Sequence, residues 1–70
     1  MVTLELTADM LSISGRIVTD HTRAELPSMA DALQVARQYW QRVGRRRGTQ
    51  LHIRITTPQG PIVTHRYRRD

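Results

Sequence analysis

The segment from Met29 to Val43 reads as one amphipathic helix, and a lone helix of this kind dictates what the rest of the chain must do. With residues placed at 100° intervals, Met29, Ala32, Leu33, Ala36, Tyr39, Trp40 and Val43 fall within one arc of roughly 120°. Asp31, Gln34, Gln38, Gln41 and Arg42 fall on the far side. Ser28 is a good N-cap, with Asp31 three positions later as in a capping box. Gly44 supplies a stop. The spacing predicts a helix over 28–43. A single apolar stripe must be buried against another layer.

The flanking segments supply that layer, because their period is two. In VTLELT, Val2, Leu4 and Leu6 alternate with Thr3, Glu5 and Thr7. Ala8 and Asp9 read as an interruption. In MLSISGRIV, Leu11, Ile13 and Ile17 alternate with Ser12, Ser14 and Arg16. A first hairpin over 1–18 that pairs Leu6 with Leu11, Leu4 with Ile13 and Val2 with Gly15 puts every apolar residue on one face. Residues 19–27, polar and ending in Pro27, read as a loop.

After the helix, Leu51, Ile53 and Ile55 alternate with His52, Arg54 and Thr56. In TPQGP, Pro58 suits the first position of a type I turn, and Gly60 suits a left-handed residue closing a three-residue loop. That loop pairs Thr57 with Pro61, Ile55 with Val63, Ile53 with His65 and Leu51 with Tyr67. A one-residue slip would turn Thr64 and Arg66 inward, which is costly. The second hairpin spans 49–67, and the tail 68–70 is expected to fray. The predicted fold is α+β in a single domain over 1–70. A four-stranded antiparallel sheet, made of two hairpins in ββαββ order, carries one helix packed on one face.

The run AxxxAR (Ala32 to Arg37), then Gly48, LxI (Leu51 to Ile53) and GxI (Gly60 to Ile62), resembles a group of short uncharacterised bacterial domains. The resemblance covers roughly residues 10–63 and consists of packing and turn positions. It implies a hairpin, one alanine-rich helix and a second hairpin closing on a glycine. It implies no activity. The chain departs from the group in having no lysine, and no aromatic residue in its first two strands.

Composition narrows the function classes. The chain has 70 residues and no cysteine. No disulfide staples it, and a thiolate metal site is excluded. A chain this short buries only about 60% of its unfolded surface, so the core must be efficient or a second copy must help cover it. MVTLEL lacks the basic and apolar regions of a signal peptide, and no apolar run approaches the roughly 20 residues that span a bilayer. A soluble cytoplasmic protein with no membrane partner is expected.

All eleven basic residues are arginine. Residues 1–35 carry two arginines against five carboxylates, a balance of −3, while residues 36–70 carry nine against Asp70 alone, a balance of +8. A basic half of this kind points to a polyanion. Arg45, Arg46 and Arg47 lie between Gly44 and Gly48, just past the helix, with Arg42 in its last turn. In the predicted register Arg54, Arg66 and Arg68 share the solvent face of the second hairpin with His52. Guanidinium groups are planar bidentate donors suited to phosphate. The candidate nucleic-acid contacts are therefore Arg42, Arg45, Arg46, Arg47, Arg54, Arg66 and Arg68. Two other readings compete. Cations at a helix C-terminus gain about 0.3–1 kcal/mol each with no ligand at all, and an acidic protein surface would fit the same charges.

Base-specific readout has no support, since no helix-turn-helix, zinc-finger or basic-zipper pattern is present. Stacking on single strands needs exposed aromatics. Trp40 falls inside the apolar arc, Tyr39 at its edge and Tyr67 near the chain end. His52 and His65 point to opposite faces and His21 sits in the predicted loop, so no metal site is expected. Ser12 and Ser14 lack histidine and carboxylate partners, and GRRRG has neither the spacing nor the context of a phosphate loop. No catalytic residues and no cofactor are assigned.

The leading expectation is a small non-enzymatic binding domain for nucleic-acid phosphates. The alternative is a protein-interaction module, such as a bacterial or phage accessory or inhibitory protein docking on a larger partner. A structural homodimer is the third class. A homodimer is expected in any case, because the sheet leaves an open face, with Val18, Thr56 and Ile62 on it, and unpaired edges.

Overall fold

The computed structural model describes residues 1–60 and 62–69. The elements follow as β1 (Val2–Leu11), β2 (Ile17–Leu26), α1 (Met29–Val43), β3 (Gln50–Thr56) and β4 (Val63–Arg68). The strands form one antiparallel sheet in the order β2-β1-β3-β4. The helix covers one face, giving the predicted α+β, ββαββ architecture.

The core lies between α1 and the two central strands. Val2, Leu4, Leu6 and Ala8 from β1 and Leu51, Ile53 and Ile55 from β3 are buried beneath Ala32, Ala36 and Tyr39. The register sets Leu4 against Ile55, Leu6 against Ile53 and Ala8 against Leu51. Each fully buried aliphatic side chain contributes about 1.5–3 kcal/mol. Ala32 and Ala36 are small, so the helix axis comes close to the sheet.

The helix starts and stops where its sequence predicts. The Ser28 hydroxyl accepts from the Asp31 amide at 3.3 Å and donates to Asp31 Oδ2 at 2.9 Å. At the other end the Gly44 amide donates to the Trp40 carbonyl at 2.7 Å. The buried arc is rotated from the predicted one. Tyr39, expected at its edge, is buried, while Leu33 is 45% exposed. Trp40 packs at the margin of the core against Tyr67.

The second hairpin has the predicted register: Ile55 opposes Val63, Ile53 opposes His65 and Leu51 opposes Tyr67. Its turn differs in detail. Gly60 is not left-handed. A Cβ there would stand 2.7 Å from Thr57 Oγ1, so a side chain at this position would make the Thr57 hydroxyl shift. The expected Thr57–Pro61 pair involves Pro61, outside the described residues. The tail is tied down at Arg69. Its amide donates to the Thr49 carbonyl at 2.9 Å, and the Gly48 amide donates to the Arg69 carbonyl at 2.8 Å.

The first hairpin departs from the expectation. β1 does not turn at Ala8 and Asp9 but runs on to Leu11. Ala8 is fully buried and continues the inward series Val2, Leu4, Leu6. The reversal comes at Ser12–Arg16, where the Ser12 amide donates to the Arg16 carbonyl at 2.7 Å and Gly15 takes φ +82. The expected Leu6–Leu11, Leu4–Ile13 and Val2–Gly15 pairs are replaced by Leu6–Thr22, Leu4–Ala24 and Val2–Leu26. The segment 19–27, expected as a loop, is therefore mostly strand β2, polar because it is an exposed sheet edge. Ile13, expected in the core, is 93% exposed at the turn.

Candidate nucleic-acid interface

Among the described residues nothing covers the face of the sheet opposite α1, and the register fixes which side chains stand on it. Three rows cross all four strands. One runs Arg23, Glu5, Arg54, Thr64; the next His21, Thr7, His52, Arg66; the third Thr19, Asp9, Gln50, Arg68. Rows on one face lie two residues apart, roughly 6.6 Å, and neighbouring strands about 4.8 Å. Arg54, Arg66 and Arg68 thus stand on one side, as the sequence predicts, with His52 among them.

The two halves of this face differ in how their charges are used. On β1 and β2 the carboxylates find local partners. Thr3 Oγ1 donates to Glu25 Oε1 at 3.0 Å, and Thr19 Oγ1 to Asp9 Oδ1 at 2.8 Å. Arg23 lies 4.0 Å from Glu25, and His21 Nε2 lies 4.0 Å from Glu5 Oε2. His21 Nδ1 is also 3.0 Å from Thr7 Oγ1. On β3 and β4, Arg54 and Arg66 form no ion pair among the described residues. Glu5 is the acidic neighbour of Arg54 in its row. The two halves meet at a shallow depression of about 670 Å³ bordered by Glu5, His21, His52, Arg54 and Arg66.

The remaining candidate arginines occupy the end of the sheet. Arg45, Arg46 and Arg47 are exposed in the connection from α1 to β3, over buried Gly44 and Thr49. Arg42 and the first two of these border a groove with Met10, Leu11 and Val18, on the helix side. The Arg42 guanidinium also sits over the Tyr39 ring, 5.6 Å from its centroid, a cation–π contact that anchors it. Arg47 precedes Gly48, whose amide is bonded to Arg69, so this connection and the end of β4 share a corner. The predicted set therefore divides. Arg54, Arg66 and Arg68 lie on the open face. Arg42, Arg45 and Arg46 lie round the end, towards the helix side. Arg47 lies at the corner between them.

Two further residues stand on the open face, and a third, Arg69, stands at the sheet's end. His21 and Arg23 fall in the segment expected as a loop, and their strand has no apolar alternation to reveal it. Arg69 falls in the tail expected to fray. The aromatic rings of tyrosine and tryptophan are on the other side. Trp40 and Tyr67 stack, with centroids 5.4 Å apart and planes 14° apart, and His65 meets Tyr67 edge-on at 4.9 Å. Tyr39 donates to Asp20 Oδ2 at 2.9 Å beneath the helix. Burial, with the Asp20 carboxylate beside it, pushes the Tyr39 hydroxyl above the usual tyrosine range.

No protein family, curated protein or solved structure matches the chain.

Proposed function

We propose that the protein is a small non-enzymatic cytoplasmic binding domain that contacts nucleic-acid phosphates without strong choice of sequence. One observation carries the reading: Arg54 and Arg66 stand exposed on the same uncovered sheet face, without ion pairs among the described residues. Arg45, Arg46 and Arg47 extend the positive surface beyond the end of that face. No tyrosine or tryptophan stands on the three mapped rows, so the grip is on backbone rather than on stacked bases. Duplex and single-stranded probes of mixed sequence, titrated at about 50 mM salt, test the proposal. Saturable binding that weakens steeply with salt supports it, and absence of binding to either probe ends it.

A second reading follows from β2. Among the described residues no strand pairs with the outer edge of this ten-residue strand. Strand addition there would form a twofold homodimer or dock a larger protein partner. Sedimentation at several concentrations distinguishes the dimer from a monomer.

A further inference from the structure

The β1–β2 hairpin outreaches the rest of the sheet. Pairing of β1 with β3 ends at Asp9–Gln50, whereas pairing with β2 continues through Met10–Val18 and Leu11–Ile17 into the turn. The apex at Ile13 is four residues beyond Asp9, roughly 13 Å at 3.3 Å per residue. Its two strands carry apolar residues on both faces, and its turn sets Ile13 among Ser12, Ser14 and Arg16. Leu11 and Ile17 face the open side, Met10 and Val18 the helix side, and Ile13 tops the turn. Ile13 is 93% and Ile17 73% exposed. Arg16 stands in the turn itself, beside Ile17, and Arg42, Arg45 and Arg46 border the groove with Leu11 and Val18 at the base. The carboxylate at the base, Asp9, is bonded by Thr19.

We infer that this finger seats in an anionic lipid surface, its isoleucines below the headgroups and its arginines among the lipid phosphates. Three observations favour lipid over a protein cleft. Exposed apolar groups lie on both faces of the ribbon, Leu11 and Ile17 on one and Val18 on the other, and a fluid interface can close around all three with Ile13. The depth matches, since interfacial elements bury about 5–10 Å into the headgroup and acyl boundary. The turn also satisfies much of its own backbone, which an apolar medium demands. The Ser12 and Gly15 amides donate to Arg16 and Ser12 carbonyls, and the Arg16 amide donates to Ser12 Oγ at 3.1 Å. Among the described residues no helix is long and apolar enough to cross a membrane, so the contact is peripheral. It does not rest on the nucleic-acid reading.

The test uses vesicles of equal parts phosphatidylglycerol and phosphatidylcholine, with pure phosphatidylcholine as control, at low salt. The protein is expected to co-sediment with the anionic vesicles only. Ile13→Ser combined with Ile17→Ser, at exposed positions that leave the core intact, should weaken partitioning by at least about tenfold. Arg45→Gln should weaken it by about fivefold. Duplex binding should be unchanged in the isoleucine variant. Because the chain has no cysteine, Ile13→Cys accepts a single environment-sensitive dye, whose emission should shift to the blue on anionic vesicles. Failure to bind the vesicles overturns the inference. So does vesicle binding indifferent to the isoleucine substitutions, which would be surface adsorption. Self-association abolished by those substitutions in the absence of vesicle binding would assign the finger to a second copy instead.

Discussion

Trp40 on α1 stacks against Tyr67 on β4 with ring centroids 5.4 Å apart, and this pair ties the last turn of the helix to the outer strand of the second hairpin. The loop of three arginines begins a little more than one helical turn further on. The stack therefore also holds the base from which those guanidinium groups project. Stacked aromatic pairs contribute about 0.5–1.5 kcal/mol beyond the area they bury. Trp40→Ala is expected to cost about 2–3 kcal/mol, less than a fully buried tryptophan because one side remains accessible. A double-mutant cycle with Tyr67→Ala, read by chemical denaturation, should give a coupling of about 1 kcal/mol. Additive losses would mean that the rings only share a neighbourhood.

Tyr39 makes stability depend on alkaline pH. Its hydroxyl titrates above the usual tyrosine value in the folded protein, chiefly because it is buried and secondarily because it donates to Asp20. In the unfolded chain it titrates at its ordinary value. The contribution is therefore fully present below about pH 10, and it is lost as pH rises through the raised folded value. Denaturation midpoints should fall across that interval, and Tyr39→Phe should make the fall shallower. At neutral pH the same substitution should cost about 1–2 kcal/mol, because Asp20 loses a donor.

Two glycines serve different physical needs, and alanine should separate them. At Gly44 a Cβ would stand 2.7 Å from Trp40 Cε2. That ring is held by Tyr67 and has little room to yield, so Gly44→Ala should cost about 2 kcal/mol through overpacking. At Gly15 a Cβ meets nothing within 4 Å, but φ is +82. Gly15→Ala should cost only the left-handed penalty, about 1 kcal/mol. Thermal unfolding of the two variants measures the ordering.

The second hairpin and the helix are legible in the sequence because several independent signals agree at each. Pro58 and Gly60 frame a turn, Ile53 and Ile55 fix the inward face, and Ser28 and Gly44 bound an apolar stripe. The first hairpin is not legible at Ala8. Alanine carries little hydrophobic signal, yet here its smallness suits a strand that passes directly beneath the helix. Ile13 and Ile17 carry a strong signal and point to solvent. Periodicity reports burial only where a layer exists to bury against, and the finger projects past the helix. Strand β2 shows no alternation because an edge strand meets water on its outer edge and on one face. The arginines of the second hairpin share one side, as expected, because the register of that hairpin is set by its turn and its aliphatic face together. The division of the remaining candidates towards the helix side follows from how the loop leaves Gly44, which no local pattern encodes.

Thr49 offers a smaller check on packing. It is fully buried at the base of the arginine loop, and its hydroxyl finds no partner among the described residues. A buried hydroxyl without a partner costs about 1–3 kcal/mol. Thr49→Val keeps the shape and removes that cost, so the variant should be at least as stable as the parent, with a denaturation midpoint raised by an amount equivalent to about 1 kcal/mol. A lowered midpoint would show that the hydroxyl is satisfied.

The division of the arginines into a sheet set and a loop set makes the polyanion reading quantitative. Removing one guanidinium–phosphate interaction lowers the slope of log affinity against log salt by about 0.9 on duplex DNA. Arg54→Gln with Arg66→Gln should reduce the slope by about 1.8, and the triple substitution of Arg45, Arg46 and Arg47 by about 2.7, if both sets touch one backbone. The effects should be the same for any probe sequence, since no base contact is invoked. Should the loop substitutions leave the slope untouched while the sheet pair abolishes it, the interface is the open face alone, and the loop arginines serve another partner at the sheet's end. Equilibrium titrations of the parent and both variants at four or five salt concentrations decide between these outcomes.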